Sequence, residues 1–134
     1  MGVISREVAE AEINSWLDKK KIKSSQRETN KDSIETMIHY MMDGELVIDE
    51  ATGQLIHSLV FPIGEGESIK KLTYKNRLND KMLEPFMKGV NVRELSSIYA
   101  AYIAALTDTP KSILLQLESA TDAKLAKAIT SFFL

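Results

Sequence analysis

Two histidines are the residues best suited to acid–base or metal chemistry near neutral pH, because the 134-residue chain contains no cysteine. His39 lies off the apolar stripe of a predicted helix, which indicates a surface position. His57 lies in a predicted strand, and no second metal ligand accompanies it nearby in the sequence. We therefore predict no catalytic, cofactor-binding or metal-binding residue, and we do not expect an enzyme.

One glycine-rich segment and one group of carboxylates have some features of reactive motifs. Gly64–Glu67 alternates glycine with glutamate, but it lacks the lysine and hydroxyl of a phosphate-binding loop, and its glutamates would repel phosphate. Glu7, Glu10 and Glu12 lie close to the start of a predicted helix, where acidic side chains suit the helix dipole. The sequence favours a turn and a solvated helix face over two chemical sites.

A basic cluster lies between residues 19 and 27. It contains Lys19, Lys20, Lys21, Lys23 and Arg27. These cations could contact a phosphate backbone, so a small nucleic-acid-binding regulator is the alternative function that the sequence supports. The net charge of −2 and the lack of aromatic residues within the cluster count against it. The simpler interpretation is a basic helix end followed by a solvated linker.

The N-terminal region is predicted to contain two helices. The first follows Ser5, which can act as its cap. Its apolar residues recur at helical spacing, namely Ala9, Ile13, Trp16 and Leu17. Residues 23–31 are polar and predict an exposed linker. The second helix is predicted to begin at Asp32, with Glu35 as its capping-box partner, and to stop at Gly44.

Residues 46–74 predict a small antiparallel sheet. Leu46–Ile48 and Gln54–Phe61 have strand character, and the aspartate and glycine between them favour a tight turn. A third extended segment, Ile69–Tyr74, follows the glycine–glutamate turn. Pro62 has no N–H to donate, so the second strand is expected to end there or to lie on an edge.

Residues 79–134 predict the remaining helices. The first of them contains Pro85, which is expected to kink or split it. Asn91–Glu94 predicts the capping box of the next helix. Two shorter helices are predicted to follow Thr109–Pro110 and Ser119–Asp122, since both segments contain residues that favour helix starts.

Together these elements predict one α+β domain over residues 1–134, predominantly α-helical, with about five to six helices. A helical region (1–44) precedes the β region (45–74) and a second helical region (79–134). Hydrophobic residues make up 44% of the chain and charged residues 27%, which is typical of globular proteins. No apolar run reaches the roughly 20 residues of a transmembrane helix, and the first residues lack signal-peptide features. We expect a cytosolic protein.

Three bulky apolar residues end the sequence, namely Phe132, Phe133 and Leu134. Burial of such a side chain is worth roughly 1.5–3 kcal/mol, so exposure of all three would forfeit much of the stability of a small domain. Either they pack back on the domain, or they contact another subunit or continue into a longer product. The sequence leaves both possibilities open.

The C-terminal half carries the residues of a family resemblance. Two extended segments, 59–63 and 69–73, precede spaced apolar residues, a proline and an aspartate. This series is Leu106, Thr107, Pro110, Leu114, Leu117, Asp122, Leu125, Ala128, Phe132, Phe133 and Leu134. Over about residues 59–134 the order resembles the tail assembly chaperones of long-tailed bacteriophages and their prophage relatives. Residues 1–58 lie outside the resemblance, and residues 74–78 depart from the family's pattern.

The resemblance implies a non-catalytic protein that coats the long, apolar tape-measure protein, helps to recruit the tail tube protein, and associates with itself. Such proteins act in the host bacterial cytoplasm and are absent from the finished virion. Coating a long helix requires repeated apolar contacts. The residues expected to contact partners are chosen for their apolar bulk near the end of the chain, with burial in the core as the alternative, and they are Ile103, Leu106, Phe132, Phe133 and Leu134.

Overall fold

The computed structural model describes residues 3–134, and within them it contains seven α-helices and three strands. The helices are α1 (Arg6–Lys19), α2 (Ser24–Thr29), α3 (Lys31–Met42), α4 (Asp80–Met87), α5 (Leu95–Thr107), α6 (Lys111–Leu114) and α7 (Asp122–Thr130). The strands are β1 (Leu46–Ile48), β2 (Leu55–Ile63) and β3 (Ile69–Tyr74). The predicted α+β, helix-dominated class is confirmed, with one helix more than predicted.

The additional helix is α2, which replaces the exposed linker predicted for residues 23–31. The chain leaves α1 through Lys21 in the left-handed conformation (φ 59°), and Ile22 then turns inward and is buried. Arg27 ties α2 to this turn, since it donates to the Ile22 carbonyl (3.1 Å) and to the Asp18 carboxylate (2.8 Å). The linker prediction was wrong because tertiary contacts, and not an apolar stripe, position α2.

Helix α3 begins slightly earlier than predicted and ends as predicted. Its first residue is Lys31 rather than Asp32. Glu35, the predicted capping-box partner, instead accepts a hydrogen bond from Arg6 on α1 (2.6 Å). This part of the prediction was wrong because a guanidinium forms a charge-assisted bond with the carboxylate between the two helices. Gly44 adopts φ 83° and allows the chain to turn from α3 into β1.

Strand β2 is the centre of an antiparallel sheet with the order β1–β2–β3. His57 on β2 lies between Leu46 of β1 and Leu72 of β3. The three side chains are buried, so the imidazole lies on the core face of the sheet. The turn between β1 and β2 contains Gly53 at φ 75°, as the aspartate–glycine pattern predicted.

The pairing of β2 with β3 is interrupted between Ser58 and Ile63. Pro62 lies within this interruption, where a missing N–H costs no ladder hydrogen bond. The strand continues to Ile63 rather than ending at Pro62 as expected. The irregular segment leaves the amides of Val60 and Phe61 free to bind a side chain from another element.

Helix α4 contains Pro85 without the predicted split. In a helix of eight residues the proline removes only one backbone bond, which the carbonyl of Lys81 would otherwise accept. Asn79 offsets this loss at the helix start, because its side-chain oxygen accepts from the amide of Met82 (2.9 Å).

Helix α5 begins at Leu95, later than the predicted start at Asn91. The Asn91 side chain accepts from the amide of Arg93 (3.0 Å) and donates to Glu94 (3.1 Å), which forms a local turn before the helix. The prediction of a capping box was wrong because asparagine can satisfy nearby backbone groups in a turn as well as at a helix start.

The core lies between the helices and one face of the sheet. Helix α3 packs against both α1 and α7, and α5 packs against α4, α6, α7 and β3. Trp16 of α1 meets Phe132 edge to face, with ring centres 6.0 Å apart. Tyr40 of α3 also donates to the carbonyl of Thr121 (2.8 Å). Within residues 3–134, no helix combines the length and apolar character needed to cross a membrane.

Candidate functional site

Three of the five predicted partner-contact residues belong to the core. Ile103 is 5% exposed, Leu106 is fully buried and Phe132 is 4% exposed. Ile103 and Leu106 are covered because α5 packs against β3, α6 and α7, while Phe132 packs on Trp16. The expectation that these three contact a partner is corrected, since folding leaves them almost no surface to offer.

The last two residues lie at the surface. Phe133 is half-buried and packs at a tilt against Trp16, with ring centres 6.3 Å apart. Leu134 is 48% exposed. The sequence left open whether the last three residues pack on the domain or contact a partner. Phe132 packs inward, whereas Phe133 and Leu134 retain surface. Partner contact stays a prediction for Phe133 and Leu134.

A groove of about 980 Å³ opens beside this C-terminal segment, and we call it the α1 groove. Four parts of the chain form it: the second half of α1, the β1–β2 turn, the segment after β3 and the C-terminal residues. Its lining consists of Glu12, Ser15, Trp16, Lys19, Lys20, Lys21, Ile48, Asp49, Glu50, Ala51, Thr52, Gly53, Asn76, Arg77, Leu78, Phe132 and Phe133. The groove joins part of the basic cluster to the apolar C-terminal residues.

Lys20 links the basic and apolar parts of the α1 groove. Its ammonium lies 3.7 Å from the ring centre of Phe133 and 5.4 Å from that of Trp16. It also donates to the carbonyl of Asn76 (3.0 Å). Partial burial, and then the nearby charge of Arg77, lower the pKa of Lys20 to about 8. The groove therefore holds a cation that is partly removed from water.

The remaining members of the basic cluster are arranged differently from one another. Arg27 is occupied by Asp18 and by the Ile22 carbonyl, so it stabilises the α1–α2 turn. Lys21 lines the groove, whereas Lys23 is exposed outside the groove lining. Trp16, one helical turn before Lys20, and the distant Phe133 supply the aromatic rings that the cluster lacks in sequence. Only the proximity of Phe133 could not be indicated by sequence spacing.

A second polar arrangement lies in the interior, around Asp122. Its carboxylate accepts from the amides of Val60 and Phe61 (both 2.9 Å) and lies 3.1 Å from Nε2 of His57. On the other side of the imidazole, Nδ1 lies 3.3 Å from the Tyr74 hydroxyl. Because a carboxylate accepts, we assign the His57 proton to Nε2, and Nδ1 accepts from Tyr74.

Burial determines the chemistry of this cluster. Desolvation lowers the pKa of His57, and the opposite effect of Asp122 offsets it only in part. Desolvation, and then the charge of Asp122, raise the pKa of Tyr74. All three side chains are inaccessible to solvent, so a substrate could not reach them. We interpret the cluster as a structural clamp between β2, β3 and α7.

The predicted surface position of His39 and the predicted strand position of His57 are both confirmed. The side chain of His39 is 60% exposed, and its Nε2 lies 3.1 Å from Glu35. For His57 the nearby sequence contained no partner, because Asp122 is 65 residues away. Among residues 3–134, no three His, Asp or Glu side chains are grouped as metal ligands.

Comparison of the chain with models of known protein families, with curated proteins and with solved structures found no match. The α1 groove and the residues around it are therefore the basis for a functional proposal. They combine an accessible concave surface, aromatic side chains and charges of both signs. Aromatic residues flanked by polar groups are common where proteins bind one another.

Proposed function

We propose that this protein is a non-catalytic assembly chaperone for the tails of long-tailed bacteriophages. In this role it binds the tape-measure protein and the tail tube protein, associates with itself, acts in the host cytoplasm and does not stay in the finished virion. The observation that supports the proposal best is the α1 groove beside the partly exposed Phe133 and Leu134. The sequence resemblance over residues 59–134 adds the particular partners.

The composition of the α1 groove favours a protein ligand. Leu78 and Phe133 are half-buried and give it apolar surface, while charged and polar side chains line much of the rest. Such a surface can receive an apolar helix face with polar residues at its edges. Its walls come from four separate chain segments, so a ligand there would contact much of the folded domain at once.

Further apolar side chains on other surfaces suit the proposed self-association. Leu115 is 81% exposed, Val92 is 70% exposed and Leu95 is 61% exposed. Single exposed apolar residues are common on monomers, but repeated weak contacts along a long helix require several such positions. These three residues lie outside the groove lining, so they are available when the groove is occupied.

The alternative function is a small nucleic-acid-binding regulator that uses the Lys19–Arg27 cluster. Exposed Lys19, Lys21 and Lys23 favour it, with Arg77 close to the same cluster. The pairing of Arg27 with Asp18 and three carboxylates in the groove lining favour the chaperone proposal instead. Duplex DNA affinity that falls steeply with added salt would support the alternative.

Co-expression tests the chaperone proposal. The chain is produced together with the long tape-measure-like protein encoded in its own gene neighbourhood, and the soluble fraction of that protein is measured. We expect a larger soluble fraction of the tape-measure-like protein than with an empty vector. The increase should be smaller when Phe133 and Leu134 are both changed to serine. A Val8→Ser variant is the control, because it removes an exposed apolar side chain that lies outside the groove and outside the surfaces proposed for self-association. Equal precipitation with and without the chain would contradict the proposal.

A further inference from the structure

Lys20 and Arg77 form what we call the positive end of the α1 groove, and they lie close enough for the charge of Arg77 to lower the pKa of Lys20. The ion pairs within residues 3–134 include Arg27 with Asp18 and Lys75 with Asp108, but none involves Lys20 or Arg77. Lys20 instead donates to the neutral carbonyl of Asn76 and lies over two aromatic rings. A partly buried ammonium next to another cation gains much from an added anion, because both its desolvation and the repulsion are then offset.

We propose that this end of the α1 groove is a binding subsite for a single carboxylate, carried by an apolar segment of a partner protein. The carboxylate is bound between Lys20 and Arg77, and the neighbouring apolar side chain packs on the half-buried Leu78 and Phe133. The inference rests on the proposed function only in taking a protein as the ligand. It specifies in addition that the partner's segment carries one carboxylate next to an apolar side chain.

The charges of the groove argue for one carboxylate rather than a polyanion. The lining contains four cations, Lys19, Lys20, Lys21 and Arg77, and three carboxylates, Glu12, Asp49 and Glu50. The net charge of the lining is therefore one positive charge. A nucleic-acid strand would bring a phosphate close to these carboxylates at every nucleotide, and each such approach is repulsive.

The two ends of the groove also differ along α1. Glu12 precedes Lys19 by two helical turns, which is about 10 Å along the axis. A segment with one acidic residue can therefore be oriented, since its carboxylate is attracted to the lysine end and repelled from the Glu12 end. Leu78 and Phe133 are half-buried and retain apolar surface for the rest of the segment.

Nuclear magnetic resonance of the full chain tests the subsite with two peptides. One probe is acetyl-Leu-Glu-Phe-amide, and its matched control is acetyl-Leu-Gln-Phe-amide, which has the same shape without the charge. We expect the glutamate peptide to shift the Trp16 indole and Phe133 signals, and to raise the pKa of Lys20 from about 8 toward the ordinary lysine value of about 10.4. The glutamine peptide should not raise the pKa of Lys20, because it adds burial without a negative charge.

Variants identify the groups that bind the carboxylate. Lys20→Met and Arg77→Gln should each weaken binding of the glutamate peptide, by roughly tenfold if each contributes one ion pair. Arg77 is exposed, so its substitution provides a second test if loss of Lys20 disturbs folding. Lys23→Met is the control, because it removes an exposed lysine of the same cluster outside the groove.

Three results would overturn the subsite: equal binding of the two peptides, no shift at Trp16 or Phe133 with either, or tighter Lys20-dependent binding of a twelve-residue thymidine oligonucleotide. The last result would favour the nucleic-acid alternative. The subsite and the tail-assembly function can fail separately. Peptide discrimination without any gain in solubility of the tape-measure protein would keep the subsite and reject the function, and the reverse pattern would reject the subsite alone.

Discussion

His57 Nε2 and Asp122 Oδ1 lie 3.1 Å apart in the protein interior, although 65 residues separate them in the chain. The pair joins the central strand β2 to α7. The same carboxylate accepts the amides of Val60 and Phe61, which the irregular part of β2 leaves without strand partners. Asp122 thus compensates for the interrupted sheet, and the last helix cannot move without breaking these bonds.

Asp122→Asn should destabilise the fold strongly. Asparagine has one side-chain oxygen where aspartate has two, so at least one of the amides of Val60 and Phe61 loses its acceptor. We expect the free energy of unfolding in urea to fall by roughly 2–4 kcal/mol. Asp43→Asn, at an exposed aspartate after α3, should change it by less than about 0.5 kcal/mol. Similar small effects of both substitutions would show that the clamp does not stabilise the domain.

Stability should depend on pH through His57. Because burial lowers the pKa of His57 in the folded state, the unfolded state binds its proton first as the pH falls. The stabilisation is therefore complete above the unfolded histidine pKa of about 6.5 and declines below it. Urea unfolding of the wild type between pH 5 and 8 should show this decline, and His57→Asn should reduce the slope. An equal slope in both proteins would contradict the assignment.

The two terminal phenylalanines should have different effects on stability. Phe132 is buried against Trp16, so Phe132→Ala should lower the free energy of unfolding by roughly 3–5 kcal/mol. Phe133→Ala should have a smaller effect, because its ring is half-buried. Leu134→Ala is the control and should stay within about 0.5 kcal/mol. If Phe133→Ala destabilised the fold as much as Phe132→Ala, Phe133 would be a core residue and not a contact residue.

Arg77 should influence Lys20 without any ligand. Its positive charge contributes to the lowered pKa of Lys20, after the larger effect of burial. Arg77→Gln should therefore raise the pKa of Lys20 above about 8, but leave it below the ordinary lysine value of about 10.4. Titration of the Lys20 side chain by nuclear magnetic resonance measures this change, with Lys23→Met as the control. An unchanged Lys20 pKa in the Arg77 variant would mean that the two cations do not interact.

The sequence predicted those elements whose signals are local. The strands of the sheet and the turn at Gly53 follow from short-range alternation and turn residues, and Ile69–Tyr74 has the predicted bounds. Helix α2 was missed because its residues are polar, and Arg27 positions it through contacts that spacing does not encode. The pairing of His57 with Asp122 was missed for the same reason, since it depends on how distant elements pack.

The candidate site was predicted only in separate pieces. The sequence pointed to the basic residues near Lys20 and to Phe133, but it gave no sign that the ammonium lies 3.7 Å from that ring. It also could not separate Phe132 from Phe133, because apolar spacing does not tell which of two neighbouring residues another helix will cover. The α1 groove follows only from packing between distant segments.

Backbone amide hydrogen exchange tests most directly whether the α1 groove is a protein-binding surface. The exchange of the free chain is compared with that of the chain co-purified with the tape-measure-like protein. We predict slower exchange in the complex at residues 16–21, 49–53, 76–78 and 131–134, which belong to the four segments that form the groove. Unchanged exchange in all four segments, with new protection elsewhere on the chain, would contradict the assignment of the groove.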